Sequence, residues 1–298
     1  MQKKRAWKQV DGVLLFDKPV GLSSNDALQK ARRLFSAAKG GHTGTLDPLA
    51  SGLLPLCFGE ATKFSADLLD ADKTYEATLQ LGVTTDSGDA EGTILSTRPV
   101  SATEADVVAA LPRFTGDILQ VPPMHSALKR DGRPLYELAR KGIEVEREPR
   151  PVTIHAIELL DFAGDSLSLR VKCSKGTYIR VLAADLGEAL GCGAHLTALR
   201  RTGVGDLSLE GSVTLAALES MAEEDRPACL RPVDALLQTL PEAHLDVAVV
   251  QRFQHGNPVP WAGGAGKYRV YADGRLIGVG ELGLDGQLKP KRLVQLQG

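Results

Sequence analysis

Along the chain, the spacing of hydrophobic and polar positions changes period several times. Val13 to Phe16 is a short apolar run closed by Lys18-Pro19-Val20-Gly21, which predicts a buried strand ending in a turn. Leu28, Ala31 and Phe35 then recur at helical spacing, so a helix is expected from an N-cap at Ser24 to about Phe35, with Lys30 and Arg33 on its exposed side. Leu53 to Phe58 reads as a strand and Glu60 to Leu69 as a short helix. From Tyr75 the period is two: Tyr75, Ala77, Leu79 and Leu81 share one face, while Thr74, Glu76, Thr78 and Gln80 share the other. A helix is expected over 103–114 with Thr103 as its cap, and paired strands over 152–160 and 166–173. Ile179, Leu182, Ala183, Leu186 and Leu190 form the apolar stripe of a helix from Thr177 to Leu190, and Ala194 to Leu199 reads as a further strand.

Helical patterns at 214–222 and 226–237 lead to Pro241, where a domain boundary is expected. Beyond it come a short helix, Gly/Pro-rich turns and strand signals at Tyr268–Ala272, Leu276–Leu282 and Arg292–Leu296. These patterns predict a large domain over 1–240 and a small β-rich module over 241–298. Strands and helices are interleaved without strict βα alternation, so the expected class is α+β with a mixed sheet rather than a doubly wound parallel one. Lys129 to Arg150 carries seven basic and five acidic residues around a helix expected at 134–142, and reads as an exposed insertion.

The 298 residues are 43% hydrophobic and 24% charged, which excludes wholesale disorder. Four cysteines without a CxxC pair fit neither a zinc ribbon nor a disulfide framework, and suit a reducing compartment. No apolar run approaches the roughly 18 residues that would span a bilayer. The basic start is followed only by Val13 to Phe16, too short for a secretory leader, so a cytoplasmic protein is expected. The net charge of -2 hides an asymmetry. Residues 1–40 hold nine Lys/Arg against Asp11, Asp17 and Asp26, whereas residues 210–246 hold eight acids against Arg226 and Arg231. Such a division suits one face meeting a polyanion, or simply two solvated faces.

Motifs for nucleotide hydrolysis, nicotinamide chemistry, zinc hydrolysis and the serine elbow are missing; Gly263-Gly264-Ala265-Gly266-Lys267 has the wrong spacing for a phosphate loop. Three features remain. The glycine- and threonine-rich stretch from Gly40 to Pro48 leaves room for a close approach by a ligand, and Pro48 biases Asp47 toward an extended backbone; Asp-Pro alone is also an ordinary turn signal. Arg180 falls in the first turn of its helix, where the dipole disfavours a cation, so it either pairs with a carboxylate or phosphate or points into water. Tyr75 has the phase of a core residue unless it stands at a cleft edge.

These residues sit inside longer strings. Gly41-His42-Thr43-Gly44-Thr45-Leu46-Asp47-Pro48-Leu49-Ala50-Ser51-Gly52 resembles the signature of the TruB family of tRNA pseudouridine synthases. The likeness continues in Asp17 to Ser24, Lys73-Thr74-Tyr75, Ser174 to Arg180, and Gly191 to Leu196 through Leu199-Arg200-Arg201, and so spans about residues 10–205. The resemblance implies a pseudouridine-synthase-like domain with a mixed, mainly antiparallel β-sheet flanked by helices. It also implies a small RNA-binding, PUA-like module at the C-terminus and an RNA-gripping insertion at about 125–150. The implied activity is isomerisation of uridine 55 in the tRNA T loop, by base flipping and an aspartate nucleophile, with no cofactor and no metal. By resemblance, Asp47 is the nucleophile, Arg180 its partner and Tyr75 the ring stacked on the base. Tyr178 and Leu199 carry over as pocket walls, and His42 as a contact to the T loop. The expected partner is the T arm of tRNA; no membrane and no protein partner are implied, and a monomer is expected. The rival reading is a non-catalytic RNA-binding or tRNA-folding protein, which has no need of a carboxylate in its RNA cleft.

Overall fold

The computed structural model describes residues 6–295 apart from 127, 131 and 140, so Lys3, Lys4 and Arg5 of the basic N-terminal stretch lie outside the described residues. The strands of the larger sheet that carry the argument are β1 (Gly12–Lys18), β2 (Ala50–Phe58), β3 (Lys73–Leu81), β4 (Gly116–Gln120), β5 (Arg150–Ala163), β6 (Ser166–Cys173) and β7 (Ala194–Val204). They lie in the order β1-β2-β7-β3-β6-β5-β4. Only the β2–β7 contact within this run is parallel, so the sheet is mixed and mainly antiparallel. That is the expected α+β architecture.

Helix α1 (Ser24–Leu34) buries Ala27, Leu28 and Ala31 against β1 and β2, in a cluster with Leu14, Phe16, Leu54 and Phe58. Its cap is Ser23, whose side chain accepts from the Asp26 N–H, one residue before the expected Ser24. Helix α2 (Ile179–Ala189) lays Ile179, Leu182, Ala183 and Leu186 on the β3, β6 and β7 residues Leu79, Leu169 and Leu196. Pro55 lies inside β2 without breaking it. Its carbonyl accepts from the Thr43 N–H, so its missing donor falls on the same side, in the gap between the pairings with β7 and with the short strand Gly40–His42.

Several expected helices are shorter. Residues 59–69 split into a 3-10 turn (Gly59–Lys63) and one helical turn (Ser65–Leu69). The 103–114 segment is helical to Ala110 and 3-10 beyond it, where Pro112 intervenes. Among the described residues of the insertion, only Leu135–Ala139 is helical. Over 214–237 a short helix (Leu215–Ser220) is followed by 3-10 turns, because Pro227 and Pro232 interrupt the periodicity.

A second sheet follows Pro241: β8 (Glu242–His244), β9 (Val259–Pro260), β10 (Gly266–Ala272), β11 (Arg275–Leu282) and β12 (Gln287–Leu293), in the order β8-β10-β11-β12-β9. It encloses Phe253 from helix α3 (Val247–Gln254) with Val259, Val270, Ile277 and Leu288. The last strand starts earlier than the expected Arg292, with Pro290 opposite Gly280 and beyond the two-residue pairing with β9; residue 296, the expected end of that strand, lies outside the described residues. Val279 of this sheet packs with Val13, Leu15 and Leu53 of the larger one. Among the described residues, no helix is long and apolar enough to cross a membrane.

Candidate active site

Asp47 is carried by a loop between the Gly40–His42 strand and β2. Gly44 turns the chain at φ 80°, in the left-handed region that favours glycine. Leu46 is buried with Leu14 and Leu54, which anchors the loop, and Asp47 beside it stays half-exposed. The Asp47 carbonyl accepts from the Ala50 N–H at 3.0 Å, which ties the loop to the start of β2.

Its partner is Arg180, in the first turn of α2. Arg180 Nη2 lies 3.0 Å from Asp47 Oδ2, and Nη1 lies 3.3 Å from Asp89 Oδ2. The guanidinium also donates to the carbonyls of Ser87 (3.1 Å) and His125 (2.7 Å), so a buried cation at the unfavourable end of a helix is matched by two anions and two acceptors. Asp89 is buried and held in turn, by the Ser87 hydroxyl at 2.6 Å and the Glu91 N–H at 3.1 Å. The two carboxylates therefore differ in access. Asp47 opens into a cavity; Asp89 does not line it.

That cavity has a volume of about 270 Å³. Strand register supplies one wall: Leu199 is opposite Ala77, and Arg201 opposite Tyr75, so Tyr75 and Leu199 are diagonal neighbours that both line it. The start of α2 supplies another through Tyr178 and Ile179. Gln120, buried at the end of β4, fixes that corner by accepting from the Tyr178 N–H at 3.0 Å. The insertion between β4 and β5 contributes His125 and Ser126. Burial pushes the Tyr75 and Tyr178 phenols up, so both keep their protons at neutral pH.

Two further cations are buried behind the loop. Arg201, 1% exposed, donates to the carbonyls of Leu53 (2.8 Å), Thr45 (3.4 Å) and Gly44 (3.4 Å), and its side chain bonds that of Tyr75. Lys18 donates to the carbonyls of Pro19 (2.9 Å) and Leu22 (2.7 Å). Burial lowers its pKa to about 8, against the raising effect of the nearby Asp47 carboxylate.

Five of the residues singled out in the sequence thus line one cavity: Asp47, Tyr75, Tyr178, Arg180 and Leu199. His42 stands outside it, at the end of the strand that leads into the Asp47 loop and opposite Leu56; burial lowers its pKa. Asp89, Arg201, Lys18 and Gln120 were not anticipated. Asp89 sits in Asp86-Ser87-Gly88-Asp89, which reads as a turn, whereas Arg201 shares its strand phase with Leu199 and was legible from that alternation. Among the described residues, no three His, Cys, Asp or Glu side chains converge as a metal-binding set.

Three family models match successive parts of the chain. "TruB family pseudouridylate synthase (N terminal domain)" covers residues 32–179, "tRNA pseudouridylate synthase B C-terminal domain" 180–238, and "Pseudouridine synthase II TruB, C-terminal" 241–294. The chain is 74% identical to the tRNA pseudouridine synthase B of Dechloromonas aromatica (strain RCB), over 99% of each chain. It is 62% identical to that of Burkholderia mallei (strain ATCC 23344), over 98% of this chain and 96% of that protein. Among solved structures it is similar to a chain of a Cbf5-Nop10-Gar1 complex, with a TM-score of 0.73 and 26% identity over 95% of this chain and 84% of that one.

Proposed function

Because the chain belongs to the TruB family of pseudouridylate synthases, we propose that it isomerises the uridine at position 55 in the T loop of tRNA, with Asp47 as nucleophile. It is an isomerase acting on uridine in tRNA. The observation that carries the finer reading is the 3.0 Å pairing of Arg180 with a carboxylate that opens into a base-sized, tyrosine-lined cavity.

The reaction breaks the C1′–N1 bond, turns the base and joins C1′ to C5; the C5 proton leaves and N1 gains one. Atoms balance without any added group. A stacked uridine must first leave its loop to reach a cavity of this depth. Arg180 pairs with the Asp47 carboxylate at 3.0 Å and holds it toward the cavity that both residues line. The Asp47 carboxylate then serves either of two routes, addition to C6 of the base or removal of the C2′ proton to form a glycal. Tyr75 offers a ring face to the base and a protonated phenol steadied by Arg201. Tyr178 and Leu199 confine the base, and His42 meets the T loop outside the cavity. Lys30, Arg33 and Lys39 are exposed on α1 and just beyond it, and supply phosphate contacts. In this reading residues 1–240 form the catalytic domain and 241–298 an RNA-binding module, and the protein acts as a cytoplasmic monomer.

The test is a T-arm stem-loop tritiated at C5 of its position-55 uridine, beside one in which that uridine is moved by one position, with a chelator present. Tritium release from the first alone is expected. Equal release from both contradicts position-55 selectivity, and release from neither contradicts the reaction.

A further inference from the structure

Ser24 is buried at the start of α1, yet it does no work for that helix: the N-terminus is already capped by Ser23, which accepts the Asp26 N–H at 3.1 Å. Both bonds of the Ser24 hydroxyl run instead to the loop 22 residues downstream. It accepts from the Leu46 N–H at 2.7 Å and donates to the Leu46 carbonyl at 3.0 Å. On the other side of Asp47, the Pro48 carbonyl accepts from the Gly21 N–H at 2.8 Å. The turn from Lys18 to Ser24 therefore holds the residue before Asp47 and the residue after it. Lys18 closes that turn from beneath through Pro19 and Leu22.

We propose that Ser24 is a positioning residue for the reaction, fixing the direction in which the Asp47 carboxylate leaves the backbone by bonding both main-chain groups of Leu46. The physical case is one of leverage. Leu46 is the last residue before the carboxylate, and a side-chain hydroxyl that both donates and accepts removes rotation of its two flanking peptide units. Without it, Leu46 keeps its apolar burial but its peptide groups lose their partner, and Asp47 samples directions that do not face Arg180 and the base. The proposal rests on Asp47 being the nucleophile, and the experiment separates the two.

Ser24→Ala, Ser23→Ala and Asp47→Asn are made in the full chain and compared with wild type. Single-turnover release of tritium from the C5-labelled stem-loop, the Kd for that RNA and the Tm are measured for each. Ser24→Ala is expected to slow release about tenfold to a hundredfold while its Kd stays within about twofold of wild type, as for a misplaced reacting group. Ser23→Ala, which removes the helix cap, is expected to lower Tm without slowing release. If Ser24→Ala does not fold, Ser24→Cys, close in shape and a weak hydrogen-bond former, carries the same expectation. An unchanged rate in the Ser24 variant overturns the proposal, as does a rate that falls while the Kd rises by a similar factor. Turnover retained by Asp47→Asn overturns the nucleophile reading instead, whatever Ser24 does.

Discussion

Around Asp47 the protein buries charge: Lys18, Asp89, Arg180 and Arg201 are all buried within reach of one loop. The sheet of residues 242–293 does the reverse. Its interior holds Phe253, Val259, Val270, Ile277 and Leu288, while Lys289–Asp285 and Lys291–Glu281 pair at the surface. Both regions form ordered sheets, so buried charge is not needed to make one. A buried cation costs desolvation that packing alone avoids, and here Arg180, Arg201 and Lys18 are each matched by carbonyls or carboxylates, those of Arg180 and Arg201 including groups of the Asp47 loop itself. The difference teaches that stability near the cavity is given up for the direction of one carboxylate.

The sharpest way to break the contrast is to remove a cation on one side and an apolar ring on the other. Arg180→Met leaves Asp89 buried without its partner, and is expected to destabilise the fold by about 3–5 kcal/mol as well as abolish measurable turnover. Phe253→Ala is expected to cost a similar 3–5 kcal/mol by leaving a cavity, with the single-turnover rate of the folded fraction unchanged. Urea unfolding with parallel rate measurements checks both; a slowed Phe253 variant would join the two regions functionally.

How far the sequence reached follows the same division. The period-two run of β3 and the apolar stripe of α2 were legible because each buries one continuous face. Arg180 was legible as an arginine that either meets an anion or points into water, since its place in the first turn of the helix is unfavourable to a cation. The anions themselves were less so. Asp47 was named by resemblance, but Asp89 meets Arg180 from a turn 91 positions away, and nothing local marks it. Ser23 and Ser24 have the same capping chemistry, and only the three-dimensional loop shows which hydroxyl is otherwise engaged. The helices expected over 214–237 are shorter because Pro227 and Pro232 interrupt the periodicity that the apolar spacing suggests.

A smaller effect sharpens the comparison within the site. Asp89→Asn keeps the shape of the second carboxylate and removes its charge, so Arg180 is held less firmly on that side. The expected outcome is a rate lower by about tenfold, with RNA affinity retained, read by single-turnover assay beside a Kd measurement. Loss of affinity with an unchanged rate would move Asp89 to RNA binding.

The last expected effect is a slope with pH. Burial brings Lys18 down to about 8, whereas an unfolded lysine titrates near 10.4, so between those values the unfolded chain holds a proton that the folded chain has released. Stability from this group therefore rises with pH across that window. The stability difference between wild type and Lys18→Met should shift in favour of wild type from pH 8 to about 10.4, followed by urea unfolding. A flat difference would mean that Lys18 stays charged in its carbonyl cage.

The central claim is that a single carboxylate, aimed by the surrounding charges, carries the isomerisation. Its most direct test is tritium release from the C5-labelled T-arm stem-loop by wild type and Asp47→Asn, with chelator present and the Kd of each measured on the same RNA. The account predicts release by wild type alone, a difference of at least about 10³-fold, with both proteins binding the RNA comparably. Release by Asp47→Asn at a rate near wild type would contradict it.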